Sequence, residues 1–349
     1  MKRFRNLLVL FGGLWVALQI SSCATSSVSM QILVPAQISV PQHIQKIAVA
    51  NRSLPAKGQG VWNFVEGFLS GESVFADREG SSNCIRGAVS QLNLGPRFQA
   101  VLADDLDLKG TGTRQFPVML SWAEVEKICK DKGVDALVLL ETFDSDIAFS
   151  KKTENVTKTV NGKEVVVPEF LSNLRINVNA GWRVYDPANK QIIDESSFMD
   201  DKGWDTRGAT EAESFNRLPS KRSAINESGY FAGEQFAIRI SPGWLPATRS
   251  YYTKGHDDFK IAREYVRAGN WDEAAKIWNP LTTNPDKKIA GRACYNMAVA
   301  CEMKGELEAA VGWAQKSFRD CGLKAARSYF QIINKRLLDQ KKLKEQMGE

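Results

Sequence analysis

The sequence predicts an α+β N-terminal domain, in which helices pack on a mixed sheet, followed by an all-α domain of helical repeats. A helical pattern ends at Gly133 and leads into the apolar run Ala136–Leu140, which is typical of a central strand covered on both faces. Apolar and polar residues then alternate strictly from Leu174 to Val184, which predicts a strand with one buried face. From Asp257 onwards, strand patterns give way to a helical pattern that recurs after 36 residues.

The helix before Gly133 carries signals for both of its ends. Ser121 and Glu124 have the spacing of a capping box at the N-terminus. Gly133 is placed as the C-terminal cap, because glycine accepts the positive φ angle with which many helices end. We therefore expect a helix, a turn and a buried strand in succession.

The other elements of this domain follow from shorter patterns of apolar residues and turn residues. The stretch Gln31–Val40, which Pro35 interrupts, is expected to form either an edge strand or two short strands, and Asp77 is expected to cap a helix. The remaining expected elements are a strand at Ile44–Ala50, helices at Val61–Leu69, Arg78–Leu92 and Ser220–Ile240, and a closing edge strand at Trp244–Tyr252.

The dipeptide Asn161-Gly162 predicts a β-hairpin. Both residues accept positive φ, and the segments Val156–Val160 and Lys163–Val167 flank them as the two hairpin strands. Pro168 follows the second run and is expected to interrupt it. We therefore expect at most about five residues in each hairpin strand.

The C-terminal part contains two copies of one helical pattern, each with small residues on both sides of a glycine turn. This pattern resembles the tetratricopeptide repeat. The second copy departs from that family, because Cys301 stands where the family has an aromatic residue. A capping helix is expected over Leu323–Met347. The residues that define the repeats are Ala262, Gly269 and Ala274 in the first copy and Ala298, Gly305 and Ala310 in the second.

The N-terminus has the organisation of a secretory signal. Lys2, Arg3 and Arg5 precede the apolar run Leu7–Ile20, and Cys23 follows two serines. This ending resembles a bacterial lipobox, which implies acylation of Cys23 and anchoring to a membrane through lipid. The alternative is an ordinary signal peptide with an incidental cysteine.

Four segments are therefore expected: a lipoprotein signal peptide over 1–22, a lipidated tether over 23–29, an α+β domain over 30–253 and helical repeats over 254–349. The ensemble resembles a family of bacterial lipoproteins in which a domain of unknown function precedes tetratricopeptide-like helices. That resemblance implies architecture and no activity. The unit around Gly133 is also similar to the periplasmic domain of the curli-secretion channel lipoprotein.

The charge balance argues against nucleic-acid binding. The full chain has a formal net charge of +6, and removal of segment 1–22 lowers it to +3. A chain this close to neutrality lacks the broad basic surface that binding to phosphate backbones requires. No nucleic-acid partner is expected.

The cysteines do not have the spacing of a zinc site. Besides Cys23 there are five, at 84, 129, 294, 301 and 321. Cys294 and Cys301 would lie about 10 Å apart along one helix, which is too far for a disulfide. Cys84 with Cys129, or Cys301 with Cys321, could pair in an oxidising compartment; otherwise these residues are buried free thiols.

Residues typical of catalysis are sparse. The chain has two histidines, His43 and His256, and none of the phosphate-binding, zinc-helix or nucleophile-elbow motifs. We expect no enzyme activity, no cofactor and no metal. The polar cluster Asp77–Asn83 could bind an anion or another ligand, or its side chains could simply cap a helix.

The repeats offer the stronger functional hypothesis. In the tetratricopeptide family the first helices of the repeats line a concave groove. The resemblance places three arginines and two aromatic residues there, which could hold an acidic or C-terminal peptide. The alternative is that the aromatic residues belong to the core and the arginines are ordinary surface. The candidate groove residues are Phe259, Arg263, Arg267, Arg292 and Tyr295.

Together these patterns predict a non-enzymatic envelope lipoprotein that binds a protein or peptide partner through its helical repeats. The absence of aspartate after Cys23 resembles sorting to the outer membrane, with the protein on the periplasmic face. The alternative function is an oligomeric structural component of a secretion or assembly complex, as the similarity to the curli-secretion lipoprotein implies.

Overall fold

The computed structural model describes residues 24–54 and 71–349. The predicted signal peptide, Cys23 and the helix expected over Val61–Leu69 lie outside the described residues. Within the described part, the strands are β1 Thr25–Val34, β2 Lys46–Asn51, β3 Gln99–Leu102, β4 Ala136–Val160, β5 Lys163–Asp186, β6 Gln191–Gly208 and β7 Gly243–Tyr252. The helices are α1 Gly71–Leu94, α2 Trp122–Lys132, α3 Glu211–Asn216, α4 Lys221–Ile240, α5 Asp257–Arg267, α6 Trp271–Leu281, α7 Lys287–Met303, α8 Leu307–Arg319 and α9 Ala325–Met347.

The described chain divides into two compact units. The sheet unit comprises residues 31–246 and 338–349, and the helical unit comprises residues 24–30 and 247–337. The expected division at 253/254 is therefore displaced, because residues 247–253 belong to the helical unit. The expected tether also differs, since Thr25–Ser29 is part of β1.

The sheet unit is built on a mixed five-stranded sheet in the order β3-β2-β4-β5-β6. β2 pairs in parallel with β3 and β4, whereas β4, β5 and β6 form an antiparallel meander. The parallel pairing involves only residues 136–140 of β4, and this part of the sheet is apolar because helices cover both of its faces. This confirms the mixed sheet that the sequence predicts.

One sheet face packs against α1 and α4, and Trp182 of β5 stacks on Phe236 of α4 with ring centroids 4.1 Å apart. The two helices approach closely through glycines. A Cβ on Gly233 would lie 1.9 Å from the carbonyl oxygen of Cys84. α2 covers the opposite face, where Val125 and Cys129 pack on Leu137 and Leu139.

The helix–turn–strand prediction around Gly133 is confirmed. Ser121 and Glu124 form a reciprocal capping box, and Gly133 ends α2 with a φ angle of 64°. Residues 136–140 are fully buried at the start of β4. The prediction that Asp77 caps a helix is wrong, because α1 begins at Gly71 and Asp77 lies inside it.

The hairpin turn is confirmed, with φ angles of 53° at Asn161 and 77° at Gly162. The expected strand length is wrong, because β4 has 25 residues and β5 has 24. Pro168 pairs opposite Asn155 without ending β5. It lies beyond the last β6 pairing at Phe170, where the other side of β5 is free and no ladder hydrogen bond is lost.

The strand expected to close the main sheet is elsewhere. β7 forms a separate two-stranded sheet with β1. β1 ends at Val34, directly before Pro35, so the strand expected up to Val40 is shorter at its C-terminal end.

The helical unit contains the hairpins α5–α6 and α7–α8 and most of α9. Gly269 and Gly305 occupy equivalent turns with φ angles of 74° and 80°. These conformations require positive φ, which glycine adopts without strain. The small residues predicted to define the helix pairs, Ala262, Ala274, Ala298 and Ala310, are all fully buried.

Candidate functional site

The most elaborate polar site of the helical unit surrounds the end of β7. We call it the strand site and define it by Trp271, Trp278, Arg292, Asn296 and Glu302, which contact the segment Arg249–Lys254. β7 follows the two-residue period of a strand here, so Arg249 and Tyr251 point to the same side. The site therefore holds an extended piece of the chain against helices α6 and α7.

Asn296 binds both backbone polar groups of Tyr252, the N–H and the carbonyl. Its Nδ2 donates to the Tyr252 carbonyl at 2.7 Å, and the Tyr252 N–H donates to its Oδ1 at 2.7 Å. The next N–H, that of Thr253, points the other way and donates to the Ala24 carbonyl at 2.9 Å. The fully buried Asn296 amide thus takes the place of a neighbouring strand, because a carboxamide both donates and accepts.

A second backbone contact comes from Arg292, whose Nη1 donates to the Lys254 carbonyl at 2.7 Å. The same guanidinium lies over the Tyr252 ring, 5.1 Å from its centroid. The Tyr295 ring packs edge-on against the Tyr252 ring, with centroids 5.3 Å apart. It also packs against the Tyr329 ring at a tilt of 33°, with centroids 4.8 Å apart. Burial raises the pKa of Tyr295 to about 12, so this phenol is neutral at physiological pH.

Tyr251 is the apolar anchor of the segment. Only 2% of it is exposed, and its ring centroid lies 6.2 Å from those of both Trp271 and Trp278. Burial of an aromatic side chain of this size contributes on the order of 2–3 kcal/mol. The two tryptophans of the first helix pair are therefore covered by a residue of β7.

Arg249 is the charged anchor and forms a two-point ion pair with Glu302. Its Nε and Nη2 atoms donate to the carboxylate at 2.8 and 2.9 Å. Tyr329 donates to the same carboxylate at 2.6 Å, and Arg336 pairs with it as well. Burial alone would raise the pKa of Glu302, but these donors outweigh it and hold the pKa below its usual value.

The structure separates the residues predicted to line the peptide groove. Arg292 and Tyr295 contribute to the strand site. Phe259 is fully buried in the core with Tyr251 and Trp278, so its expected place on a groove surface is corrected. Arg263 and Arg267 lie on α5, where both pair with Glu264.

Of the five residues that define the strand site, only Arg292 was a predicted groove residue; Trp271, Trp278, Asn296 and Glu302 were not. Asn296 and Glu302 lie within the largely apolar stretch 293–303. A buried polar side chain needs a hydrogen-bond partner. The presence of Asn296 and Glu302 in an apolar helical stretch is therefore the sequence signal for a polar contact at this place. Their partner could not be named from the sequence, because it lies 44 to 53 residues away.

The polar cluster at Asp77–Asn83 divides in the structure. Asp77 accepts a hydrogen bond from Ser145, and Ser81 accepts one from Asn51 at 2.9 Å. Glu79 pairs with Arg222 of α4. Four members of the cluster and the nearby Arg86 line an open, polar cleft of about 460 Å³: Arg78, Glu79, Ser82, Asn83 and Arg86. None of these five lining residues is buried.

A second buried carboxylate lies in the sheet unit. Glu141 is fully buried and accepts from Arg183 at 2.9 Å, Tyr185 at 2.9 Å and Arg52 at 3.1 Å. Burial raises its pKa, against the effect of the two guanidiniums. Because this network is closed to solvent, it links β4, β5 and the end of β2 rather than offering a surface to a substrate.

The described ranges, 24–54 and 71–349, lack both a metal-binding cluster and a membrane-spanning helix. In that part of the chain, no group of three or more His, Cys, Asp or Glu side chains could hold a metal ion. Likewise, none of its helices combines the length and the apolar character needed to cross a membrane.

Known structures of low similarity match the chain. A neuraminyllactose-binding hemagglutinin homolog from Helicobacter pylori is 10% identical over 58% of this chain and 87% of its own, with a TM-score of 0.26. A PelC dodecamer from Paraburkholderia phytofirmans is 8% identical over 61% and 98%, with a TM-score of 0.21. The hypothetical protein CT253 from Chlamydia trachomatis is 12% identical over 56% and 92%, with a TM-score of 0.17. No curated protein matches the chain.

Two family models match the sequence, and together they span both units. Residues 260–336 match the Domain of unknown function (DUF6340). Residues 44–252 match the Domain of unknown function (DUF8603), which covers more than half of the chain. The chain therefore belongs to the family of the Domain of unknown function (DUF8603).

Proposed function

We propose that this protein is a non-enzymatic envelope lipoprotein, anchored through lipid on Cys23, whose tetratricopeptide-like helices bind an extended segment of a protein partner. The observation that carries the proposal is the strand site. Its helices bind an extended segment through backbone hydrogen bonds, one aromatic pocket and one buried carboxylate.

Each of these contacts has a separate role in recognition. Asn296 and Arg292 contact backbone atoms, which any extended segment offers. The pocket between Trp271 and Trp278 selects an aromatic side chain, and Glu302 selects a basic one two residues earlier. A segment with arginine at one position and tyrosine two positions later therefore matches the site.

In the free chain this site is filled by Arg249–Lys254. A partner segment must therefore displace the internal strand or be presented at a much higher local concentration. Intramolecular segments commonly have effective concentrations in the millimolar range. We expect weak binding of free peptides and stronger binding of a partner held beside the protein at the membrane.

The tetratricopeptide-like assignment rests on local geometry. Two helix hairpins are offset by 36 residues, and both turn at a glycine with positive φ. Buried alanines allow the paired helices to approach in each hairpin. The envelope location rests on the N-terminal sequence, and the periplasmic face of the outer membrane is the proposed position.

The anchor is tested by fractionation of cells that express the full chain or the Cys23→Ser variant. Lipidation contributes roughly 0.8 kcal/mol per buried CH2 group, so loss of the acyl chains should release the variant from the membrane fraction. An unchanged membrane fraction for Cys23→Ser would refute the lipoprotein assignment.

The interaction is tested in the same cells with a photo-crosslinking residue at position 295 of α7, which contacts Tyr252 of the internal strand, or, as a control, at the exposed position 308 of α8. We expect a discrete crosslinked product in intact envelopes from position 295 only. Equal products from both positions, or none, would count against the strand site as the binding surface. The alternative function, an oligomeric structural component, predicts that the protein without its signal peptide elutes from size-exclusion chromatography with the mass of a large oligomer rather than of a monomer.

A further inference from the structure

The turn between α8 and α9 lies directly on the first half of α7. A Cβ placed on Gly291 would be 3.1 Å from the Cβ of Cys321. Ser317 holds this arrangement by donating to the Gly291 carbonyl at 2.7 Å. A larger residue at 291 would crowd Cys321 and Leu323, whose Cβ atoms would lie 3.1 and 3.2 Å from the added Cβ.

Cys294 lies on the same face of α7 as Gly291, one helical turn further on, because residues three apart on a helix are neighbours. It is fully buried, whereas Cys321 is partly exposed. The Cys294 thiol donates to the Thr282 carbonyl at 3.9 Å. Burial, and after it the nearby Cys321, raise the pKa of Cys294 to about 12. The two cysteines are thus juxtaposed, and both are free thiols in this structure.

The pairings that the sequence left open are disfavoured by the fold. Cys84 belongs to the core on one face of the sheet and Cys129 to the core on the other face. Cys301 lies two helical turns beyond Cys294, about 10 Å along α7, and packs in a different cluster with Leu307. Cys321 therefore has Cys294, and not Cys301, as its neighbour.

We propose that Cys294 and Cys321 are a disulfide-forming pair that fastens the α8–α9 turn to α7. The oxidant is a small-molecule or protein disulfide. The thiolate of the accessible Cys321 attacks it and releases one thiol. Cys294 then attacks the Cys321 sulfur and releases the second thiol. Overall, two protein thiols become one disulfide while the oxidant is reduced to two thiols.

This bond goes beyond the proposed binding function, and its chemistry can be tested apart from it. The purified full chain is incubated with oxidised or reduced glutathione, free thiols are alkylated, and the protein is digested with trypsin. We expect the peptides 293–304 and 320–324 to be linked, with the loss of two hydrogens, only after oxidation. The melting temperature of the oxidised chain should be higher than that of the reduced chain.

Because peptide 293–304 contains both Cys294 and Cys301, variants assign the bond. Cys301→Ser is the matched control and should keep the link, whereas Cys294→Ser should lose it. Cys321→Ser changes a partly exposed side chain and should also lose both the link and the rise in melting temperature. A link that persists in Cys294→Ser, the absence of any link, or oxidation that stops at a glutathione adduct on Cys321 would overturn the proposal.

Discussion

At the scale of single residues, Glu302 shows how a buried charge is made tolerable. Arg249, Tyr329 and Arg336 all donate to one carboxylate that has no solvent exposure. Taking a carboxylate out of water costs several kcal/mol, and only such a set of donors compensates for it. The network also connects β7 to α7 and α9, so the residue contributes to the strand site as well as to folding.

We predict that Glu302→Gln lowers the free energy of unfolding by about 3–5 kcal/mol, because it leaves two partly buried guanidiniums, those of Arg249 and Arg336, without a counter-charge. Chemical denaturation at pH 7 measures this. Glu308→Gln, at an exposed position of α8, is the control and should change the value by less than about 0.5 kcal/mol. Equal effects of the two substitutions would contradict the account of this network.

Asp77 shows the opposite electrostatic situation. Burial raises its pKa from 3.8 to about 6, with a hydrogen bond from Ser145 opposing and the charge of Asp144 reinforcing the shift. A carboxyl with a raised folded-state pKa stabilises the fold when protonated. Its contribution is therefore complete below pH 3.8 and is lost as the pH rises through 6.

It follows that Asp77→Asn should stabilise the protein at pH 7.5 by roughly 1–2 kcal/mol, a value reduced for partial exposure. The gain should shrink towards zero near pH 4, since the wild-type carboxyl is then protonated as well. Unfolding curves across this pH range test the prediction. The control is Asp131→Asn, at an exposed residue paired with Lys127, which should show no such gain in stability at pH 7.5. If the effect of Asp77→Asn on stability does not depend on pH, the pKa of Asp77 is not raised.

At the scale of elements, the contact between α1 and α4 depends on glycines. Gly229 and Gly233 lie one turn apart on α4, and a Cβ on either would meet backbone atoms of α1 at 2.3 or 1.9 Å. Backbone cannot yield as a flexible side chain can. The helices must therefore separate when a larger residue replaces either glycine.

Gly233→Ala should consequently destabilise the chain by about 2–3 kcal/mol or more. Gly312→Ala is the matched control, because Gly312 lies inside α8 with no atom within 4 Å of an added Cβ. There alanine should stabilise by about 0.5–1 kcal/mol through its higher helix propensity. Thermal unfolding of both variants measures these changes in stability. An unchanged melting temperature for Gly233→Ala would show that α1 and α4 are less tightly packed than described here.

The elements also show what the sequence could predict. The capping box of α2, the Gly133 cap, the buried start of β4 and the Asn161-Gly162 turn were predictable, because each depends on residues close in sequence. The length of β4 and β5 was not, since their exposed outer halves lack a buried face and hence a clear alternation. The pairing of β7 with β1 could not be predicted either, because it joins two segments that are far apart in sequence.

At the scale of the whole molecule, the sequence predicts the secondary-structure class of each of the two units but not the residues at which the units begin and end. The change from strand to helical periodicity after Asp257 located the boundary within about ten residues. The segment 247–253 reads as a strand and so was assigned to the sheet, yet its inward side chains complete the helical unit. Of the predicted groove residues, Arg292 and Tyr295 lie on α7 at the strand site, whereas the three on α5 lie outside it. The occupant of the site and its buried polar residues depend on contacts that are distant in sequence.

We propose above that the helical unit is a receptor for extended segments, and that its own strand β7 occupies the strand site in the free chain. The most direct test is a peptide titration of the full-length variant Arg249→Ala/Tyr251→Ala, which removes both anchors of the internal strand. The peptide corresponds to residues 246–254, and a Tyr251→Ala version of it is the control. Circular dichroism first establishes that the variant retains its helices.

We predict that the peptide binds this variant with a Kd of about 10–100 µM, or about 5–7 kcal/mol of binding free energy. It should bind the wild-type chain at least tenfold more weakly, because the internal strand competes, and the control peptide should bind neither protein. Equal affinity for variant and wild type, or no binding to a folded variant, would contradict the claim that these helices recognise an extended segment.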